Sequence, residues 1–444
     1  MGYGVGVRFF AGESLLAQDR LDLALAEALT PAGVVARPCF FSGFAAFPQV
    51  VARGLATLAD ITATRYFKPS PAGMRDPVLS AQGDRLRAEC FSACNSVYAR
   101  LDLLGAGFDG GDIGFGTTNV NVNLPLRQAL SRIGRDQLLR LEVGSEGLAV
   151  SSPNETAREH PVSMPDRWVR ALGNAAELQH DLEPVLTLDT VQARAFVAGL
   201  PGATGKNQAG WVTVSPSGVK LAPRRIGNAV FVSGPHRLSA LKRLLTNIDG
   251  LTFYCSGDGG AGPVLVEASM FAARLTLGLT EQAWRGFSGE GALLESLASP
   301  AAVDDAALVG SLLAFEPAID VARLAEKAGM GQERARAALN LLAVSGRVGW
   351  DAHDQAYFHR QLPDDPQRVS KDNPRLVAAR RLVGAVEPVG EGVWEVRSSG
   401  AVYRVTYDPV VGADQARCTC TWYLNHRGNR GPCKHVLAVQ LRNQ

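Results

Sequence analysis

The sequence predicts an α+β protein built from several domains, and three observations lead to this fold class. A strand, helix and hairpin order recurs through the first two thirds of the chain. Segments with helical spacing and a further hairpin follow, and the last residues place cysteines and a histidine in two close pairs. At 444 residues the chain is too long for one ordinary core, so about three domains are expected.

The composition is typical of a globular protein inside the cell. Apolar residues make up 46% and charged residues 20% of the chain, and no apolar run reaches the length of a membrane span. The N-terminus lacks a basic stretch followed by an apolar one, which argues against export. Seven cysteines, an odd number, suit a reducing compartment. We therefore expect a cytoplasmic protein with no membrane partner.

The charge of the chain is distributed unevenly. The net charge is only +2, which argues against a general binder of polyanions. From Gln367 to the C-terminus, however, there are 12 Lys and Arg and only 6 Asp and Glu. A basic segment of this kind is typical of a surface that meets phosphates, and a solvated basic tail gives the same pattern. Both interpretations stay open from the sequence alone.

Residues 1–37 form an N-terminal extension to which we assign no chemistry, and residues 38–285 hold the recurring units. The recurring region divides into two blocks, at about 38–152 and 178–280. Each block contains strands that alternate in polarity, segments with helical spacing, and hairpins marked by glycine. In all, about four strand, helix and sheet units are expected.

The unit is clearest in two places. Residues 119–123 alternate as a strand, 125–133 have helical spacing, and a hairpin follows. Later, 229–233 and the helix 235–245 repeat that order before another hairpin. This order resembles the DNA sliding-clamp fold, whose subunits repeat such units with helices that line a central hole.

The clamp resemblance implies basic inner helices that face nucleic acid. The segments at those positions carry basic residues, although the same residues would also suit a face in contact with solvent. The candidates are Arg127, Arg132, Arg135, His236, Arg237, Lys242 and Arg243.

After a linker at 281–303, residues 304–360 form a different domain. Three segments with helical spacing precede a hairpin, and this order resembles a winged helix-turn-helix. That family can insert its third helix into the major groove, which implies DNA contacts by Arg334 and Arg336. The wing would add Arg347, His359 and Arg360. Many winged helices contact only proteins, and acidic side chains on the same surface leave that role equally open.

Residues 361–390 are expected to form a linker to a small domain at 391–444, because prolines and charges of both signs follow Gln361. In the small domain Cys418-Thr419-Cys420 is followed by Cys433-Lys434-His435. Three thiolates and an imidazole are the donor mixture that tetrahedral zinc favours. A strand that ends near Cys420 and a helix that begins near Cys433 would each supply half of the site.

The motif C-T-C-T-W, then G-P-C-K-H-V-L-A-V, is similar to the SWIM-type zinc finger, a small strand-strand-helix domain. The alternatives are ordinary buried thiols or a redox Cys-x-Cys pair, but Cys433-x-His435 at a helix start has no use in a dithiol pair. Four protein ligands leave no open position on the metal, so we expect zinc to be structural. Replacing Cys433 or His435 should then unfold this domain.

No catalytic motif is recognisable, so we expect no enzyme activity, no catalytic residue and no small-molecule substrate. The chain has no nucleophile elbow, complete phosphate loop or dinucleotide fingerprint. Asp102, Asp109 and Asp112 are near one another in sequence, but a loop that forms turns explains the last two better than a magnesium site does.

Two functions compete. The first is DNA or RNA binding by phosphate contacts, for which the finger region offers Arg417, Arg427, Arg430, Lys434 and Arg442. The second is a protein-interaction adaptor. The order of domains is similar to that of bacterial SWIM proteins encoded beside MoxR-type AAA+ ATPases and von Willebrand A proteins, which implies such an ATPase or von Willebrand A protein as a partner.

Overall fold

The computed structural model describes most of the chain. The described residues are 15–16, 20–22, 28–30, 33–35, 39–67, 76–162, 164–205, 208–216, 218–282, 286–287, 300–313, 317–344, 346–360, 374–409, 412–427 and 431–443. Strands and helices alternate along them, so the mixed α+β class expected from the sequence is confirmed.

The first block is mainly strand. Its elements in chain order are β1 (Leu15–Leu16), β2 (Arg20–Asp22), β3 (Ala28–Thr30), β4 (Gly33–Val35), β5 (Cys39–Ala45), α1 (Pro48–Ala63), β6 (Val78–Gln82), β7 (Arg85–Phe91), β8 (Val97–Leu104), a 3-10 turn (Gly105–Gly107), β9 (Phe108–Ile113), β10 (Phe115–Asn119), α2 (Leu124–Arg132), β11 (Arg140–Gly144), β12 (Gly147–Ser151), β13 (Thr156–Glu159), β14 (Met164–Pro165) and α3 (Asp166–His180).

The second block repeats the alternation. It contains β15 (Glu183–Leu188), α4 (Thr190–Gly199), β16 (Ala209–Ser215), β17 (Gly218–Ala222), β18 (Ala229–Ser233), a 3-10 helix (Pro235–Leu244), β19 (Gly250–Cys255), β20 (Val264–Met270) and β21 (Ala273–Leu279).

One eight-stranded antiparallel sheet joins the two blocks, in the order β10-β6-β7-β8-β21-β20-β19-β15. The junction is the pairing of β8 with β21, where Val97 lies opposite Leu279 and Leu103 opposite Ala273. Smaller sheets have the orders β13-β12-β11-β5-β9, β17-β16-β18 and β1-β2-β14, and β3 pairs with β4.

Strands β7 and β8 are buried on both faces. Their apolar side chains meet α1, where Leu101 packs so close to Gly54 that a methyl group there would lie 2.8 Å from a Leu101 methyl carbon. Their charged side chains, such as Arg87 and Asp102, point to the opposite face. The large sheet therefore has an apolar face under α1 and a charged face that must be covered by something else.

The strand predicted at 119–123 lies about four residues earlier in the sequence. The structure places β10 at Phe115–Asn119, because Asn123 is the N-cap of α2. Its side-chain oxygen accepts a hydrogen bond from the backbone N–H of Leu126 at 3.1 Å, which is a frequent role of asparagine at a helix start.

The middle region contains α5 (Pro300–Leu312), α6 (Val321–Ala328), α7 (Gln332–Val344), β22 (Val348–Asp351) and β23 (Ala356–His359). This is the order of three helices and a hairpin that the sequence predicts.

The β22–β23 hairpin covers the charged face of the large sheet. Arg360 is buried there and donates to Glu89 at 2.6 and 2.7 Å. The expectation that His359 and Arg360 flank a free wing is therefore wrong, because both side chains are 7% exposed or less. Membership of the winged-helix family stays a prediction.

The C-terminal module begins earlier than the sequence indicates. It contains α8 (Pro374–Leu382), a 3-10 turn (Val383–Ala385), β24 (Val386–Gly390), β25 (Val393–Ser398), β26 (Ala401–Asp408), β27 (Gly412–Cys418), α9 (Thr421–His426) and α10 (Lys434–Arg442). Strand β24 is the first strand of a four-stranded sheet in chain order, and α8 packs on α10. Residues 374–390 thus belong to the module, and only 361–373 separate it from the hairpin.

The buried apolar side chains form two clusters. The first lies in the two sheet blocks, from Phe40 to Phe287. The second joins the three helices and the hairpin to the C-terminal module, includes Leu339 and Leu437, and reaches the large sheet at Tyr254 and Leu265. None of the described helices combines the length and the hydropathy needed to cross a membrane.

Candidate metal centre

The first pair of sulfur donors lies where the sheet of the C-terminal module meets a short helix. Cys418 ends β27 and lies opposite Val405 of β26, so its side chain shares the buried face of that sheet. Cys420, expected on the same strand, instead caps α9. Its Sγ accepts a hydrogen bond from the backbone N–H of Tyr423 at 3.4 Å.

The second pair lies at the start of α10, as the sequence predicts. Cys433 is the N-cap, and its Sγ accepts from the backbone N–H of Val436 at 3.5 Å. His435 follows in the first turn and is buried. Gly431, with φ of 70°, provides the left-handed backbone that turns the chain into this helix.

All four side chains converge. The donor atoms of Cys418, Cys420, Cys433 and His435 lie within 4.8 Å of one another, and each of the four residues is buried. The Sγ of Cys418 is 3.7 Å from the Nδ1 of His435. Zinc–sulfur and zinc–nitrogen bonds of usual length place two such ligands of a tetrahedron about 3.6 Å apart. The spacing therefore fits one zinc ion bound by three sulfurs and Nδ1.

The surroundings of the sulfurs favour thiolates. Each accepts a backbone N–H, including that of Cys420 to the Sγ of Cys418 at 3.4 Å. Cys433 also lies at the N-terminus of α10, where the helix dipole stabilises negative charge. Thiolates are the form of cysteine that binds zinc.

Without a metal the thiols would take different protonation states. Hydrogen bonds from Cys418 and Cys433 hold the pKa of Cys420 well below its ordinary value. Hydrogen bonds to Cys420 and Cys433 raise the pKa of Cys418. A divalent cation replaces these shared protons and lets all three sulfurs carry negative charge.

Tyr403 fixes the orientation of the imidazole. The two rings stack with centroids 4.2 Å apart and planes inclined by 20°. The Nε2 of His435 is buried, and no hydrogen-bond partner for it occurs in the described part of the chain. The Nδ1 of His435, which lies 3.7 Å from the Sγ of Cys418, is the nitrogen directed at the metal. Because four buried protein donors complete a tetrahedron, the centre is suited to a structural zinc with no position for substrate.

The comparisons with known proteins agree with this centre. Residues 403–442 match the SWIM zinc finger family. The match includes all four donors, together with most of β26, all of β27 and both final helices. The SWIM finger expected from the motif, and zinc as its cofactor, are thereby confirmed. In this chain β24 and β25 precede the matched residues and complete the sheet, and α8 packs on α10.

Two solved structures are similar to a little over half of the chain. One is Proliferating Cellular Nuclear Antigen from Entamoeba histolytica, with 13% identity over 55% of this chain and 99% of that chain, at a TM-score of 0.37. Another is the PCNA2–PCNA3 complex from Sulfolobus tokodaii, with 9% identity over 54% and 98%, at a TM-score of 0.40. No curated protein sequence matches the chain.

The basic residues that the sequence singled out in the SWIM finger lie on different parts of its surface. Arg417 is exposed on β27, and Arg427 and Arg442 are exposed at the ends of α9 and α10. Lys434 is only partly exposed, and its Nζ lies 3.1 Å from the Oγ of Ser398. Arg430 lies outside the described residues.

Arg404 is a basic residue that the sequence motifs did not single out. It is exposed on β26, one position before Val405, which pairs with Cys418. It therefore shares the solvent face of the sheet with Arg417, which lies opposite Thr406. The alternation of β26 between apolar and polar residues could have placed it on that face.

The candidates outside the finger divide into exposed and buried ones. Arg334 and Arg336 are exposed on α7, but Arg334 donates to Asp305 at 2.6 Å. Lys242 and Arg243 are exposed on the 3-10 helix. Arg237 is fully buried.

The assignment of Arg237 to nucleic acid is therefore wrong. Its guanidinium donates to the backbone oxygens of Ser96 and Ser233 and to Thr280. It joins the 3-10 helix to the sheet and has no surface from which to reach a phosphate.

Proposed function

We propose that the protein binds nucleic acid without catalysing a reaction, and that its SWIM finger is held together by a structural zinc ion. The observation that supports this proposal is the pair Arg404 and Arg417, which lie exposed on the solvent face of the sheet whose buried face carries Cys418. Zinc binding orders this sheet, and the ordered sheet presents the two guanidinium groups. DNA and RNA both offer the phosphates that such groups bind.

The expected role of each part follows from its position. Arg404 and Arg417 contact successive phosphates, while Arg427 and Arg442 add positive charge at the ends of α9 and α10. Lys434 donates a hydrogen bond to Ser398, so we expect its ammonium group to stabilise the start of α10 more than to contact a phosphate. Arg336 on α7 offers a further exposed cation, and Arg334 is partly neutralised by Asp305.

A salt titration tests the proposal. We would measure binding of the full-length protein to labelled single- and double-stranded DNA by fluorescence anisotropy between about 50 and 200 mM salt, where phosphate binding weakens steeply. The double variant Arg404→Ala, Arg417→Ala should bind duplex more weakly, and its log–log salt slope should fall by about 0.9 for each phosphate that it no longer neutralises. The matched control is Arg397→Ala, since Arg397 lies on the same sheet but is paired with Glu387 at 3.0 Å.

The control should leave affinity and slope nearly unchanged. A protein with no detectable binding at the lowest salt would contradict the proposal. So would a double variant that keeps the wild-type slope.

A second function, that of a protein-interaction adaptor, is favoured by exposed apolar side chains on the finger. Val389, Val402 and Leu424 are 46%, 54% and 64% exposed. An apolar contact would resist salt, in contrast to phosphate binding. Recovery of a AAA+ ATPase or a von Willebrand A protein at high salt, abolished in Leu424→Asp, would support the adaptor. Failure to recover either from the native host would count against it.

A further inference from the structure

A groove runs between the helices that cover the apolar face of the two blocks. One cavity of about 380 Å³ opens beside the start of α1, and a second of about 430 Å³ lies between α1, α2 and the 3-10 helix. Gln49 and Thr246 line both cavities, so the two are adjacent. We call the two adjacent cavities together the helix groove.

An aromatic pair forms one end of the helix groove. Phe47, at the start of α1, and Phe271, in the turn between β20 and β21, stack with ring centroids 5.3 Å apart and planes inclined by 22°. They are 39% and 61% exposed. Exposed apolar rings that lie side by side mark an interaction site more often than single exposed rings do. The flat faces of nucleobases stack on aromatic side chains of this kind.

The charge of the helix groove is strongly positive. Its lining includes Arg53, Arg135, Arg194, Lys242 and Arg243, and the one carboxylate among the lining residues is Asp249. Arg194 is near that carboxylate, at 3.9 Å. Arg243 is paired with Asp60. Over the described residues, neither Arg135 nor Lys242 takes part in an ion pair, and both are exposed.

The cations are close enough to influence one another. Burial, together with the charges of Arg135 and Arg243, lowers the pKa of Arg53. The guanidinium of Arg53 is held in place by Thr246 and by Asn247 at 2.8 Å. An anion that enters the groove would relieve this repulsion.

We propose that the helix groove binds single-stranded nucleic acid, with a base stacked on the Phe47–Phe271 pair and the phosphate backbone along Arg135 and Lys242. A rigid double helix keeps its bases stacked on one another, so it could use the cations but not the rings. A single strand uses both. This site is separate from the SWIM finger and goes beyond the phosphate binding proposed there.

The test compares strands that differ only in their bases. The Arg404→Ala, Arg417→Ala variant removes the proposed finger site, so binding through the groove is measured alone. In that background we would titrate a labelled oligothymidine of about 20 nucleotides, an abasic strand of equal length and a duplex. Phe271→Ala should weaken oligothymidine binding roughly tenfold and leave the abasic strand unchanged.

Matched variants separate stacking from charge. Arg135→Ala with Lys242→Ala should weaken both single strands, and Arg225→Ala, which removes an exposed arginine paired with Asp258 outside the groove, should weaken neither. Val191→Ala, which removes a side chain 79% exposed outside the groove, controls for the loss of an apolar group. Circular dichroism confirms that each variant is folded.

Three results would overturn the proposal. The first is that the Arg404→Ala, Arg417→Ala variant binds no single strand. That result would argue against the groove site but not against the site proposed on the finger. Another is equal weakening of thymidine and abasic strand binding in Phe271→Ala. The third is that the background variant binds duplex more tightly than single strands, and that neither Phe47→Ala nor Phe271→Ala changes this preference. The groove would then be a site for duplex.

Discussion

Asp351 is the residue on which the contact between the hairpin and the large sheet depends most. Its carboxylate is fully buried and accepts hydrogen bonds from Arg87 and Arg100, each at 2.7 Å. Arg274 lies 3.7 Å away. Asp102 completes the network by binding Arg87 and Arg100 at 2.6 and 2.8 Å. Two carboxylates therefore neutralise arginines that would otherwise be buried without a partner.

Removing the charge of Asp351 should strongly destabilise the protein. Asp351→Asn keeps the shape but leaves the arginines with one buried carboxylate, and breaking a buried pair in this way costs about 3–5 kcal/mol. Denaturant unfolding measures the difference. Asp258→Asn, which breaks the exposed pair with Arg225, should change the free energy of unfolding by less than about 1 kcal/mol. Equal effects of the two variants would contradict this account.

Single residues differ in how well the sequence predicts their role. The four zinc donors were predictable because their types and spacing carry the chemistry by themselves. Arg237 was not, because a sequence does not show that Ser96 and Thr280 fold onto its guanidinium. For Arg404 the alternation of β26 could have predicted exposure, but its position beside Arg417 depends on the register of β26 with β27, which the sequence does not show.

At the scale of elements, the β22–β23 hairpin is held by carboxylates that stay ionised in spite of burial. Burial raises the pKa of Glu89, but the charge and hydrogen bonds of Arg360 outweigh it, and the pKa lies below its ordinary value. The pKa values of Asp102 and Asp351 are lowered in the same way, because Arg100 and Arg87 outweigh burial.

These shifts predict a loss of stability in acid. A carboxylate whose folded pKa is below its unfolded value of about 4 stabilises the fold fully above that value, and this stabilisation is lost as the pH falls through the folded pKa. The free energy of unfolding should therefore decrease from about pH 5 downward. Asp351→Asn should show a shallower decrease, because one of these carboxylates is gone. An identical pH profile for wild type and variant would contradict the prediction.

The sequence predicts the existence of elements better than their partners. Three helices and a hairpin were expected at 304–360 and are present, but their hairpin was expected to be exposed. Its polar residues suggested a wing in contact with solvent. Instead, Asp351 and Arg360 form ion pairs with oppositely charged side chains of β7 and β8, more than 200 residues earlier in the chain, and these pairs hold the hairpin in a buried position. The linker predicted at 361–390, from the prolines and mixed charges after Gln361, was extended over β24 in error. The strand was missed because Pro388 and Gly390 interrupt its pattern.

At the scale of the whole molecule, the buried apolar side chains of the described residues form two clusters, and the zinc centre belongs to the second. The first cluster contains no described residue of the SWIM finger. The second contains three of the metal donors, Cys418, Cys420 and Cys433, along with the middle helices. Loss of zinc should consequently affect the C-terminal module and spare β7 and β8, whose apolar side chains belong to the first cluster.

Hydrogen exchange after chelation tests this division. Metal binding of a small zinc domain is on the order of 10 kcal/mol, enough to decide whether it folds. With zinc removed, or in Cys433→Ser, amides of 386–443 should lose protection while those of β7 and β8 keep it. Cys39→Ser, which alters an exposed thiol, is the control. Protection that persists throughout the finger, or that decreases equally in the sheet, would contradict the division.

The most direct test of the zinc centre is X-ray absorption at the zinc edge on the purified full-length protein. The geometry predicts one zinc per chain with three sulfur neighbours at about 2.3 Å and one nitrogen at about 2.0 Å. A first shell made mainly of oxygen and nitrogen, or a protein purified without zinc that folds its finger normally, would contradict the structural role assigned to Cys418, Cys420, Cys433 and His435.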